Sequence, residues 1–222
     1  MAGVVIISLA LGMGLFFVLP AAASTGIGEL MGIENSIFRN VMEEVVKIVL
    51  FVGYLVLIGQ MEDIKRVFRY HGAEHKTINA YEAGAELTPE IVNTYPIEHP
   101  RCGTAFLLNV ILLSIVVNSL IGRPDNFALL LFLRIITIPV VAGIAYEWLR
   151  FTANHINNPI ISVLVKPNLA LQRLTTRQPD HAMCEVAIVA LQHVLVAEGL
   201  RNQPGASAPV VAEMVAAQAA TD

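Results

Sequence analysis

Charge is what this chain has least of. Only 14% of its 222 residues are Asp, Glu, Lys or Arg, against 55% hydrophobic, whereas soluble globular chains carry about 25% charge. That shortage, with a mean hydropathy of +0.65, excludes an ordinary soluble domain and assigns the chain to a bilayer. Basic residues are scarce too: 14 Lys and Arg against 18 Asp and Glu leave a formal net charge of -4. They are scattered, with no aromatic residues interleaved to stack on bases, which argues against a nucleic-acid partner. Cysteine is nearly absent. Cys102 and Cys184 both fall in segments expected on the cytoplasmic side, where thiols stay reduced, so no disulfide is expected and Cys102 is available as a ligand. No Lys or Arg precedes the first apolar run, which favours a retained helix over a cleaved signal peptide despite the small residues of PAAAS.

What is present is a series of apolar runs. Residues 1–23 are uncharged and close to the roughly 20 residues that a spanning helix needs. Residues 37–60, 104–121 and 127–148 supply further spans, the last two joined by the short turn GRPDN. Glu43 and Lys47, one helical turn apart, are expected to pair. Asn109, Asn118, Arg134 and Glu147 should face the bundle interior, because lipid cannot satisfy them. Lys65, Arg66, Arg69, Lys76 and Arg101 mark the loop 61–103 as cytoplasmic, as Arg150, Lys166, Arg173, Arg177 and Arg201 mark the stretch from 149 on. Both termini then lie inside. Residues 155–165 are apolar but too short to cross, and read as a re-entrant or interfacial segment. In 180–197, Met183, Val186, Ala187, Ala190 and Val194 align on one face of an amphipathic cytoplasmic helix that stops at Gly199. The fold class is an all-α integral membrane protein with about four transmembrane helices. It forms a single membrane-embedded domain over 1–200, followed by a disordered Ala- and Pro-rich tail at 201–222.

The chemistry-bearing residues cluster between the second and third spans. YHGAEHKTINAYE (70–82) contains His71-x-x-Glu74-His75, the inverted form of the zinc-peptidase signature. On a helix, His71 and His75 lie one turn apart and can reach one ion at about 2.0 to 2.1 Å. His71, Glu74, His75, Ile78 and Glu82 share one face, while Lys65, Arg69 and Lys76 lie opposite, suited to lipid phosphates. Glu82 is roughly 10 Å along the axis from His75, too far to share the ion, and suits the orienting of a ligand. A second ligand pair, His99 and Cys102, follows in EHPRCGT, where Pro100 and Gly103 shape a turn. If all four bind, a tetrahedral zinc-type shell is full and structural. If one only supports, a position opens for water and Glu74 becomes the candidate general base. Arg101, within the turn, and Glu147, at the end of the fourth span, are supporting candidates. The bland alternative is a set of hydrogen-bonded surface or core histidines; His155, His181 and His193 are read that way.

DIKRVFRYHGAEHKTINAYEAG, HPRCGTAF and QRLTTRQPDHAMCEVAIVAL closely resemble the distinctive stretches of the YqhQ family, bacterial membrane proteins of unknown function labelled as predicted metal-dependent enzymes. The resemblance runs from about Asn35 to Leu195. It implies functional roles for His71, Glu74, His75, Glu82, His99 and Cys102, and a bacterial inner-membrane location. Members usually begin with a Gly-rich segment resembling GGQAVIEGVMMRG; none occurs in this sequence, and His181 stands where acidic residues are usual. The chain is therefore expected either to need a separately encoded partner or to have kept only a structural role. Two functions follow as expectations. One is a membrane-embedded protein binding zinc or a similar divalent metal, acting as a hydrolase with its site at the cytoplasmic face. The other is a non-catalytic scaffold or assembly subunit of a larger membrane complex, its polar cluster structural. Membrane lipids and a homo-oligomer or larger complex are the expected partners.

Overall fold

In a computed structural model that describes residues 2–200, the protein is all helical, with no strand among the described residues. The helices are α1 (Ala2–Met13), α2 (Leu19–Leu30), α3 (Ser36–Ile58), α4 (Glu62–Glu82), α5 (Pro89–Val92), α6 (Gly103–Ile121), α7 (Phe127–Ile136), α8 (Ile138–Asn154), α9 (Pro159–Thr175) and α10 (His181–Ala197). A π-helical turn, Gly14–Val18, joins α1 to α2. Its cause is local: Pro20 has no N–H to continue the ladder, and the Leu19 N–H bonds back to the Gly14 carbonyl. Side-chain caps start several helices. Asn35, Asn126 and Asp180 accept from the backbone N–H groups of Phe38, Leu129 and Met183.

Among the described residues, two helices are long and apolar enough to cross a membrane, Gly3–Leu30 and Gly103–Ile121. Phe127–Ile136 with Ile138–Asn154, bent by 40° at Thr137, makes a third if the two pieces form one crossing. These helices define a membrane protein. The first outruns the expected 1–23 by a full turn and more, and the expected single span at 127–148 is the bent pair. The expected tail at 201–222 lies outside the described residues. Residues 155–165 do not form a short separate element: a 17-residue helix begins at Pro159 and continues through Pro167 to Thr175.

The chain gathers into two compact units, where a single domain was expected from sequence. The first contains the residues up to Met61 and Pro100–Thr175. In it α3 packs on α2 and α6, and α6 packs on α8 and α9. Phe51, Leu55, Leu108, Ile111 and Leu171 form an apolar cluster. Beside it lies a buried ionic network. Arg134 Nε donates to Glu43 Oε1 at 2.9 Å and Arg134 Nη2 to Asn40 Oδ1 at 2.7 Å. Arg123 reaches in from the 122–126 turn, donating through Nη1 to Glu43 Oε2 at 2.7 Å and through Nη2 to Ser24 and Thr25 hydroxyls at 2.8 and 2.9 Å. Lys47 pairs with Glu44 at 2.9 Å, not with Glu43. The expected i,i+4 pair is thus replaced by an i,i+3 pair, because two guanidinium groups, each with several donors, take the Glu43 carboxylate. Asn109, Asn118 and Arg134 are buried as expected, whereas Glu147 is exposed. Asn168 donates to Asn109 at 3.1 Å, tying α9 to α6.

The second unit contains Glu62–His99 and the residues from Thr176 on. Here α10 packs on α4 and α5 around Ala73, Ala80, Val92, Met183, Cys184 and Ile188. The α10 stripe differs from the one expected: Cys184, Ile188 and Leu195 are buried, while Val186 and Val194 are exposed. The helix is apolar nearly all round, so periodicity alone does not select the face that meets α4.

Candidate metal centre

The histidine motif sits in the middle of α4, whose first turn carries Glu62 and Asp63 where the helix dipole favours negative charge. Gly72 lies inside that helix, a place where glycine costs about 0.5 to 1 kcal/mol relative to alanine. A Cβ there would meet the Arg177 carbonyl oxygen and come within 3.0 Å of Ile97 Cδ1. The missing side chain therefore lets the strap from Thr176 approach closely enough for the Arg177 N–H to donate to the Phe68 carbonyl at 2.9 Å.

His71 and His75 have ring centroids 4.3 Å apart, and one ring nitrogen of each lies within 4.8 Å of the other's. The His99 ring is 5.9 Å from that of His75. His75 and His99 are buried and His71 is half-buried. The protons can be assigned by chemistry. Nδ1 of His75 is 2.7 Å from the Ile97 carbonyl oxygen, which can only accept, so Nδ1 carries the hydrogen. The neutral ring then offers Nε2 as a lone pair. For His99, Nε2 lies 3.5 Å from Glu82 Oε2, and a proton held there leaves Nδ1 as the lone pair. Imidazoles that bind metal are commonly set in this way, one nitrogen donating to a carbonyl or carboxylate and the other facing the ion. The donor set therefore fits a borderline-soft divalent cation such as zinc.

Around the rings, α4 laces down the segment that carries His99. Lys76 Nζ donates to the Asn93 and Tyr95 carbonyls at 2.7 and 2.8 Å, and Asn79 Nδ2 to those of Pro96 and Glu98 at 2.9 and 3.0 Å. Lys76 is therefore buried, not turned to lipid phosphates as its place on the helical wheel suggested. Burial pushes its ammonium below the ordinary lysine range, with Cys184 and Glu98 opposing. Burial likewise pushes the Cys184 thiol up, opposed by Lys76 and reinforced by Asp180. The helical wheel gave Lys76 a place on the lipid-facing side, and Asn79 was passed over although it lies one turn beyond His75.

The remaining candidates are distributed as follows. Glu74 is exposed, while its neighbour His75 is buried. Glu82 is partly exposed beside His99. Cys102, three residues past His99 in the chain, belongs to the first unit and caps α6: the Thr104 N–H donates to its Sγ at 3.4 Å. Arg101 and Glu147, also of the first unit, are exposed, as is His155, whose Nδ1 donates to the Phe151 carbonyl at 2.8 Å. His181 and His193 are exposed on α10.

An all-helical membrane protein with three histidines gathered on one helix and the segment laced to it is thus the class that fold and site define. The chain belongs to the family described as "Protein of unknown function (DUF1385)", which it matches over residues 1–197. It is 39% identical over 162 residues to the Uncharacterized protein YqhQ of Bacillus subtilis (strain 168), a match covering 73% of this chain and 51% of that protein. The chain thus spans about half the length of that curated relative. No solved structure matches it.

Proposed function

We propose that the protein binds a zinc-like divalent cation through His71, His75 and His99 and uses it in hydrolysis. The observation that carries this reading is the His75 ring, whose proton is fixed on Nδ1 by the Ile97 carbonyl at 2.7 Å, leaving Nε2 as a donor beside the His71 ring. When bound, such an ion supplies Lewis acidity. Glu74, adjacent to His75 and exposed, takes the role of general base, accepting a proton from the attacking water. Glu82 orients His99. Cys102 stays outside the shell in this reading, so that the fourth position is open to water; a shell filled by its thiol would make the site structural. We place the protein in a bacterial inner membrane with four crossings, α3 being the second, and both termini cytoplasmic; the distribution of Lys and Arg supports this orientation.

A second reading has its own observation. Lys76, His75 and Asn79 bond to carbonyls of residues 93 to 98, a polar knot that would serve a scaffold subunit equally well. Elemental analysis of the purified full-length chain separates the two. The hydrolase reading expects a stoichiometric transition metal that is lost in His71→Ala. It further expects Glu74→Gln to keep the metal while hydrolysis of ester, peptide or phospholipid probes falls at least a hundredfold. A chain that purifies without metal from metal-supplemented medium and stays folded in His71→Ala supports the scaffold.

A further inference from the structure

The first unit contains a cavity of about 290 Å³, unrelated to the histidine cluster. That size is at the lower end of small-molecule sites, which run from about 300 Å³. Its walls are mostly apolar, with Phe16, Phe17, Phe51 and Tyr54 among them, but Lys47 and Arg134 also line it. Both cations are buried, Arg134 to 4% exposure. The charges about it do not cancel: among the described residues, Lys47, Arg123 and Arg134 pair with the carboxylates of Glu43 and Glu44 alone. Nor are the donors all used. Arg134 spends Nε and Nη2 on Glu43 and Asn40, while its Nη1 is buried with no hydrogen-bond partner among the described residues. A spare guanidinium donor within a unit of net positive buried charge is unfavourable unless an anion completes it. In a membrane the neighbouring apolar volume is suited to hydrocarbon.

We propose that this cavity binds a single-chain anionic amphiphile, its carboxylate or phosphate head meeting Arg134 and its tail lying against the phenylalanines. The head brings the negative charge that the network lacks and two or more acceptor oxygens for the unused N–H. The phenylalanine walls give the tail no hydrogen-bonding partner; the polar lining is confined to Tyr54, Ser114, Asn118 and Thr137 besides the two cations. A neutral amphiphile of the same length fills the apolar part but leaves the charge uncompensated.

The test uses the full-length protein in a neutral detergent, followed by native mass spectrometry and thermal unfolding. Oleate, oleoyl lysophosphatidic acid and oleyl alcohol are added separately. One bound oleate or lysophosphatidic acid per chain, with a rise in Tm that oleyl alcohol does not match, supports the proposal, and the better of the two identifies the head as carboxylate or phosphate. Equal stabilisation by oleyl alcohol, or no retained anion in either case, overturns it. Val110→Trp fills the cavity from a wall residue that is in none of the ion pairs, and should abolish retention while the helical circular dichroism stays unchanged. Arg134→Lys keeps the charge and removes the spare donor, and should weaken binding at least tenfold. If both variants, folded, bind as the wild type does, the anion sits elsewhere and the assignment fails.

Discussion

A histidine can offer one nitrogen to a cation only when the proton on the other has a resting place, and for His75 and His99 those places are the Ile97 carbonyl and the Glu82 carboxylate. Glu82→Gln keeps the shape but removes the charge that holds the His99 proton. Metal affinity, measured by chelator competition, is expected to fall about 10- to 100-fold with folding intact. A second consequence concerns pH. Burial raises the Cys184 thiol above its ordinary value of about 8.5. The folded chain therefore holds that proton when the unfolded chain has released it, so this stabilisation is complete below about pH 8.5 and is lost as pH rises through the folded value. Lys76 is shifted the other way and loses its cost over the same alkaline range, so the two effects must be separated. The difference in thermal stability between wild type and Cys184→Ala should shrink as pH is raised from 8 to 10.

At the scale of the helix, the register of His71 and His75 was legible because four-residue spacing on a helix admits one geometry, and α4 supplies that helix unbroken from Glu62 to Glu82. The partner of Glu43 was not legible. The local i,i+4 rule favoured Lys47, but Arg123 and Arg134 arrive from about eighty and ninety residues away and bring several fixed donors each. Lys76 escaped for a related reason: lysine on a helix defaults to the surface, and only the carbonyls of a distant segment make its burial tolerable. Gly72 also acts at this scale. Gly72→Ala places a methyl group against the Arg177 carbonyl, and should cost about 1 to 3 kcal/mol in unfolding free energy as the strap from Thr176 is displaced. The proximity of a spin-label pair on α4 and α10 would be lost with it, whereas helix propensity alone predicts a slight stabilisation.

For the whole molecule, the apolar helices were evident from sequence while their number was not. Ser36–Ile58 is long enough to cross, yet carries Arg39, Glu43, Glu44 and Lys47, and only the network that neutralises most of these charges makes it compatible with lipid. Orientation is the testable matter at this scale. Single cysteines at Asp125 and at Glu90, in Cys-free variants, should label oppositely in intact spheroplasts with a membrane-impermeant maleimide: Asp125→Cys reacts and Glu90→Cys does not until the cells are lysed. Labelling at both positions, or the reverse pattern, removes the proposed four-crossing topology.

The grip of Arg123 on Glu43, Ser24 and Thr25 also bears on how the chain is made. Synthesis delivers the carboxylate and the two hydroxyls first, so, with α3 as the proposed second crossing, both arginines emerge from the ribosome toward an acceptor already in place. A circular permutant in which α2 and α3 come last would reverse that schedule and leave two guanidinium groups exposed to hydrocarbon during insertion.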